Sequence, residues 1–458
     1  MNSVEHLFEP QKVILIGSSK IREKVGMTSP QLFESVVCNM KKCFKGKIIV
    51  VDLSKKTLSN FEEEKPELGV IMLPPEMSIQ QAEKCATAGV KALVLITGGF
   101  KNHQRQRLRQ MTEDHGIRIL GPNTIMGVIN TANGLNTTFE KDTMPTKGDI
   151  AVISQSGGVG AYLLDWTCSC NIGISKFAFM GDKIDVNDVD LLEYLSKDPR
   201  TRVICLYMEG IENGRKFIET ARKVVRKKPV LAVKGGVTRE AANRALSHTA
   251  SIAGTDEVFD AGLKKAGVIR TEDLEELLNS AVALSKQPTL KGDDIAIVSN
   301  VGGPAILAAD AVAKNGLRLA TLSEATKRRI ETRYPGIDAS NPIDIIADAR
   351  AERYTMVLRH VLEDPNVDGV MVINMLKSTF FEPEDALTIV KAAKEYPKKP
   401  IVDVPAGGED FNLVYKVLEK SNIPLYNLPE KAAKALKALR LYAKIVEKWD
   451  KKSEPRAP

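Results

Sequence analysis

The chain has 458 residues, 43% hydrophobic and 27% charged, which is ordinary for soluble globular protein and enough for two to four domains with their own cores. Aromatics at 5% are too sparse for a base-stacking nucleic-acid surface, and the net charge of +7 is spread along the chain, suiting small polyanionic ligands without demanding them. No apolar stretch reaches spanning length, Met1–His6 carries no secretory pattern, and the six cysteines contain no C-x-x-C pair, so the expectation is a cytoplasmic protein without a membrane or nucleic-acid partner.

Taken in order, Lys12 to Gly17 is a short β-branched run ending in glycine, followed by Ser18 and Ser19. Lys47 to Asp52 ends in an acid, and Leu68 to Pro75 and Ala92 to Phe100 are further apolar runs. Helical patterns such as Ser78 to Ala88 separate them, which predicts a parallel doubly wound sheet with ligands at the strand carboxyl ends. The glycines after the first strand do not follow G-x-G-x-x-G, so a standard dinucleotide site is not expected. Gly17 and Gly26 can equally be turn residues.

Residues 128–149 read as a polar connector with Pro145. A second βα series begins at Ile150, runs through Ser154-Gln155-Ser156-Gly157-Gly158, and enters a helix near Val159. Such a glycine turn at a helix start is an anion site, because its N–H groups and the helix dipole point the same way. Later strands fit Val203 to Met208, ending at Glu209, and Pro229 to Val233, ending at Lys234. A third series opens at Ile295. Laid without gaps on residues 150–165, residues 295–310 match at Ile, Ala, Ser, Gly, Gly and Asp, which marks an internal duplication. Strands at Val370 to Asn374 and Ile401 to Val404 continue it, and Pro429 to Trp449 reads as a docking helix.

The chain has five histidines, and four sit where a cap or a solvated side chain explains them. His248 instead lies among mostly small residues, Ser247 to Gly254, in which Ile252 is the one large apolar side chain and too little to bury the imidazole. Three features of the second series therefore converge on one sheet edge: the Ser154–Gly158 turn, the strand-end carboxylate Glu209, and His248. A carboxylate on one imidazole nitrogen fixes the tautomer and frees the other nitrogen as a nucleophile, which equips the site for a phosphohistidine. Metal binding is the weaker alternative, since no second histidine lies at ligand spacing and Cys168-Ser169-Cys170 is not a usual zinc pattern. Ser154 or Ser156 as an acyl nucleophile is weaker still, because the surroundings are not G-x-S-x-G.

At this point the whole chain resembles the α subunits of ADP-forming acetyl-CoA synthetases, relatives of the succinyl-CoA synthetase α subunit. The motifs that carry the resemblance are Ser247-His248-Thr249 through Gly254 with Asp256 and Ala266–Arg270, Ile153–Gly157, Asp188–Leu195, Asn341–Asp344 and Lys24-Val25-Gly26. The resemblance implies an α/β fold in three domains: a Rossmann-like CoA-binding domain at 1–128, a flavodoxin-like phosphohistidine domain at 148–287, and a second flavodoxin-like, ligase-associated domain at 291–450 carrying the C-terminal helix. It implies that His248 is phosphorylated, that Glu209 holds its imidazole, and that Ser154, Gln155, Ser156, Gly157 and Gly158 bind the phosphoryl group. It places CoA or acetyl-CoA near Gly17, Ser18, Ser19, Lys24, Val25, Gly26, Thr97 and Asn123.

No Walker pattern and no ATP-grasp-like unit occurs, so ADP/ATP and Mg²⁺ are expected on an ATP-grasp β subunit in an α2β2 heterotetramer, with no metal on this chain. The expected reaction converts acyl-CoA, ADP and phosphate to a carboxylic acid, ATP and CoA. The alternatives are a ligase for succinate, an aryl acid or a branched-chain acid, and a non-catalytic CoA-sensing subunit. Asp182 where the family has asparagine, Ala250 where it has glycine, and a Gly121–Gly127 loop one residue longer are departures. The first adds a negative charge near the implied acyl pocket.

Overall fold

The computed structural model describes residues 4–21, 29–55, 61–238, 240–241, 255–376, 385–406 and 411–453. Packing divides the chain into two compact units, Met1–Glu272 and Asp273–Pro458.

The first unit holds two sheets. Strands β1 (Lys12–Gly17), β2 (Lys47–Asp52), β3 (Leu68–Ile71), β4 (Ala92–Leu95) and β5 (Arg118–Leu120) form a parallel sheet in the order β2-β1-β3-β4-β5. Chain order reverses between β1 and β3, and there the strand ends leave a crevice. β3 and β4 are buried throughout and β1 beyond its first residue, which is why they read as continuous apolar runs.

The second sheet runs β12-β11-β10-β8-β9-β6-β7. Its parallel strands are β8 (Lys147–Ser154), β9 (Ile174–Phe179), β10 (Val203–Met208), β11 (Val230–Lys234) and β12 (Ile269–Thr271). Two short antiparallel strands, β6 (Val128–Asn130) and β7 (Leu135–Asn136), complete it. These strands lie in the stretch expected to be a polar connector. Polarity there does not mean exposure: Asn130 Nδ2 donates to the Phe8 carbonyl at 2.9 Å, Thr131 Oγ1 to Ile174 O at 2.6 Å, and Asn136 Nδ2 to Thr143 O at 2.8 Å. Each side chain pays its burial by binding a backbone group.

The second unit holds β13 (Asp294–Ser299), β14 (Arg318–Leu319), β15 (Ile343–Asp344), β16 (Gly369–Met375) and β17 (Ile401–Ala406), in the order β14-β13-β16-β17 with β15 also on β13. The helix Leu274–Lys286 packs in this unit against the helix Pro429–Ser453, held by Lys431–Glu275 at 2.5 Å and Lys434–Glu276 at 3.1 Å. Packing therefore parts the chain before this helix, whereas the sequence boundary at 287 falls after it.

Candidate active site

The turn after β8 is built from its own side chains. Ser154, fully buried, donates its hydroxyl to the Ser156 carbonyl at 2.7 Å and sets the sharp exit from the strand. Ser156 is the N-cap of the helix Gly157–Ser169, its Oγ accepting from Val159 N at 3.4 Å. The first N–H groups of an α-helix have no partner within the helix, so those of Gly157 and Gly158 point into the space before it. A Cβ at either glycine would meet no atom within 4 Å. Protein packing thus gives no reason for two glycines here, while close approach of an anion to the backbone does.

Gln155 is turned the other way. Its N–H is bonded to Tyr207 O at 3.1 Å, and its amide is wholly taken up by Glu209, Gly210 and Asp188. It brings Glu209 to the turn but has no group left for a phosphoryl oxygen, so within the expected phosphate-binding set its side chain and N–H serve the protein. Glu209 itself is half-buried at the end of β10, and its Oε1 accepts from Tyr207 Oη at 3.4 Å. Burial and the Glu209 charge push the Tyr207 hydroxyl up to about 12, so it stays a donor at neutral pH.

His248 lies outside the described residues, as do Lys24, Val25 and Gly26. The described residues on both sides of 242–254 form a charged frame. Lys234, at the end of β11, donates to the Gly235 carbonyl and lies 5.3 Å from the Phe259 ring centre. Burial lowers its ammonium, and Asp256 and Glu209 oppose that shift. Asp256 opens the helix Asp256–Ala266 and takes a two-pronged bond from Arg270 Nη2 at 2.8 and 2.9 Å. Tyr207 was not singled out from the sequence, Asp188 entered only as the first residue of a resemblance motif with no role given, and Lys234 was read only as a strand end. A lysine closing a buried strand beside a glycine pair was the one local signal available.

The described residues of the expected CoA set, Gly17, Ser18, Ser19, Thr97 and Asn123, lie at the carboxyl edge of the first sheet. Gly17 ends β1 beside the Phe33 ring, which a Cβ would meet at 2.2 Å. The Ser18 hydroxyl accepts from Lys20 N and Ile21 N at 3.3 Å. Ser19 donates its N–H and hydroxyl to Asp52 at 3.1 and 2.7 Å. Burial alone would raise Asp52, but the bonds from Ser19 and Ser54 prevail and hold it well below the usual carboxylate range. Thr97 is buried, with its hydroxyl donated to Leu73 O at 2.6 Å. Asn123 is exposed, has φ +63°, and donates its amide to Asp182 Oδ1 at 3.2 Å.

Asp182 also pairs with Arg105 at 2.7 Å, so the charge that departs from the family pattern is neutralised by the first sheet's own helix Asn102–His115. Gly181 makes that approach possible. It has φ +59°, and a Cβ there would sit 2.2 Å from the Pro122 carbonyl oxygen. Arg118 fastens the same loop through Asp185 at 2.9 Å and Asp190 at 3.3 Å. Among the described residues no group of three or more His, Cys, Asp or Glu side chains could hold a metal ion, and no helix is long and apolar enough to cross a membrane.

A doubly wound CoA-type half, followed by a sheet whose carboxyl edge joins a helix-start anion turn to a strand-end glutamate, defines the architecture of a nucleotide-dependent CoA ligase. Family comparison agrees: residues 147–284 match the succinyl-CoA ligase like flavodoxin domain, and residues 295–443 match the ligase-CoA domain. The chain is 36% identical to acetate–CoA ligase [ADP-forming] II subunit alpha of Pyrococcus furiosus, across 97% of this chain and 98% of that one. It is 35% identical to acetate–CoA ligase [ADP-forming] I of Archaeoglobus fulgidus, across 97% of this chain but only 64% of that protein. The solved dinucleotide forming acetyl-coenzyme A synthetase 1 of Ca. Korarchaeum cryptofilum, in complex with phosphate and ADP, superposes with TM-score 0.87 at 32% identity over 100% of both chains. The chain belongs to the ADP-forming acetate–CoA ligase family, on the side of its α subunits.

Proposed function

We propose that this chain is the catalytic α subunit of an ADP-forming acetyl-CoA synthetase, working reversibly through an acyl phosphate and a phosphohistidine at His248. The observation that carries the reading is the junction of the open Gly157–Gly158 turn with Glu209 through Gln155, on a chain 36% identical to an α subunit of that name. Phosphate bound at the turn attacks the thioester carbonyl, giving acyl phosphate and releasing CoA. His248 then attacks phosphorus and releases the carboxylate, and the phosphoryl group passes to ADP. Glu209 holds one imidazole nitrogen so that the other presents its lone pair. The covalent carrier separates thioester cleavage from ATP synthesis in space and time.

CoA is assigned to the edge formed by Gly17, Ser18, Ser19, Thr97 and Asn123, with Lys24, Val25 and Gly26. Of these, Ser19 and Thr97 donate their hydroxyls to the protein, so their contribution is to shape the edge. ADP and Mg²⁺ are assigned to an ATP-grasp β subunit in an α2β2 complex, where the metal would supply charge neutralisation for phosphoryl transfer. The A. fulgidus relative supports this division: this chain spans 64% of a ligase named without subunits, which leaves about a third of that protein outside the match. A cytoplasmic location fits these substrates.

The test is intact-protein mass spectrometry of the complex with its partner subunit after Mg-ATP, kept at neutral to alkaline pH because phosphohistidine is acid-labile. An acid-labile phosphate on the wild-type chain that disappears in His248→Ala supports the reading. CoA binding without any phosphate on a competent complex overturns it in favour of a CoA-sensing subunit.

A further inference from the structure

Resting on that reading, we infer that Gln155 and Asp188 are positioning residues that fix Glu209 and tie it to the loop touching the CoA half. Gln155 is 8% exposed and Asp188 4%. Gln155 Oε1 accepts from Glu209 N at 2.6 Å and Gly210 N at 3.0 Å. Its Nε2 donates to Gly210 O at 2.7 Å and Asp188 Oδ1 at 2.8 Å. All four contacts use a single amide, so it can adopt one orientation only. Lys183 Nζ closes the ring, donating to Asp188 Oδ2 at 3.1 Å and Gly210 O at 3.3 Å.

Glu209 needs such a device. Among the described residues its carboxylate takes one long bond, from Tyr207, and it stands past the last residue of β10, where the ladder no longer holds the backbone. Its direction is therefore set by its own peptide, which Gln155 grips from both sides. Asp188 is the other anchor. It is the first residue of the helix Asp188–Lys197. The adjoining loop carries Asp182, bonded to Asn123 and Arg105. A fully satisfied buried polar network of this kind rigidifies what it joins. A continuous path thus runs from Asn123 at the expected CoA edge, through the Asp182–Asp188 loop and Gln155, to Glu209.

Three variants test this in the complex with the partner subunit. Gln155→Asn shortens the arm by one methylene and loses Asp188. Gln155→Glu sets a carboxylate oxygen against both Asp188 and the Gly210 carbonyl, and Gln155→Glu with Asp188→Asn restores the donor–acceptor pair with residue 188 but not the bond to Gly210. Both single variants are expected to slow phosphorylation of His248 by Mg-ATP about 10- to 100-fold, while KM for CoA and phosphate stays within about threefold. The double variant is expected to return part of the rate, since the bond to Gly210 stays lost. Hydrogen–deuterium exchange at residues 207–212 should rise in Gln155→Glu and fall back in the double variant. Unchanged rate and exchange in Gln155→Glu, or a double variant as impaired as the single, overturns the inference. A wild-type chain that never labels overturns the phosphohistidine reading instead, and the exchange pattern then decides whether Gln155 holds Glu209.

Discussion

The turns after β8 and β13 are two versions of one structure, and their differences mark where chemistry was added. In both, a buried serine donates its hydroxyl to the carbonyl two residues on, Ser154 to Ser156 at 2.7 Å and Ser299 to Val301 at 2.8 Å. In both, the next side-chain amide oxygen binds an N–H at the end of the neighbouring strand: Gln155 that of Glu209, Asn300 that of Met375 at 2.8 Å. Strand register makes the equivalence strict, because Tyr207 pairs with Ser154 as Ile373 pairs with Ser299. Yet Met375 stands where Glu209 stands, and Pro405 where Lys234 does. Val301 without a side-chain cap replaces Ser156, and Pro304 replaces Val159. The scaffold is shared, and the acid, the lysine and the capping hydroxyl belong to one copy.

The largest expected contrast lies beneath the two turns. The Gln155 amide is satisfied on every side, whereas Asn300 Nδ2, Asn374 Oδ1 and Asp403 Oδ2 are buried with no partner among the described residues. Asn374 Nδ2 donates to Asp403 Oδ1 at 2.7 Å. Burial pushes Asp403 up to about 8, against the pull of that bond and of the Val404 N–H. Protonated, Asp403 can donate where a carboxylate cannot. A folded value near 8 against an unfolded 3.8 means the native state holds the proton more tightly. Stability is then full below about pH 4 and falls as pH rises toward 8, by about 6 kcal/mol in all. Asp403→Asn should remove that slope, read from denaturant melts between pH 4 and 9. An unchanged slope would mean the carboxyl is ionised in the fold.

The second contrast is between Glu209 and Met375. Glu209→Met writes the second unit's residue into the first, on a backbone that already accepts methionine at the matching place. Phosphorylation of His248 should fall about 100-fold or more while the melting midpoint stays close to wild type. A rate within threefold of wild type would show that the glutamate is not what distinguishes the two turns.

Much of this was legible in the sequence because buried parallel strands announce themselves. The reading of Val203 to Met208 coincides with β10, and the duplication at 150 and 295 is matched by two strand–turn–helix segments. What escaped depended on distant partners. β9 carries Lys176 in mid-strand, which looks like a surface charge until Asp198 at 2.7 Å and Glu9 at 3.2 Å neutralise it. β6 and β7 hid behind asparagine and threonine side chains that bind backbone. The turn Ser154–Gly158 was visible as an anion motif, but Gln155 facing inward was not, since its partners lie 33 and 55 residues away. Likewise Asp182 read as an uncompensated charge because Arg105 comes from another sheet's helix.

The smallest effects separate stability from function at the cap. Ser156 holds Val159 N only weakly, at 3.4 Å, and the equivalent helix Gly302–Lys314 starts from Val301 with no side-chain cap. Ser156→Val should therefore cost only about 0.5 to 1 kcal/mol of stability, and Val301→Ser should add a similar amount in the second unit. If the turn after β8 binds phosphate, Ser156→Val also removes a hydroxyl from the anion's reach. KM for phosphate should then rise about threefold to tenfold, roughly one neutral hydrogen bond. Val301→Ser should leave phosphate kinetics where they were, since its turn has gained a cap without a strand-end acid beside it. Equal stability changes with unequal phosphate dependence would separate the copy that only folds from the copy that also binds. Equal behaviour on both counts would mean Ser156 is a cap and nothing more, leaving the anion to the backbone of Gly157 and Gly158.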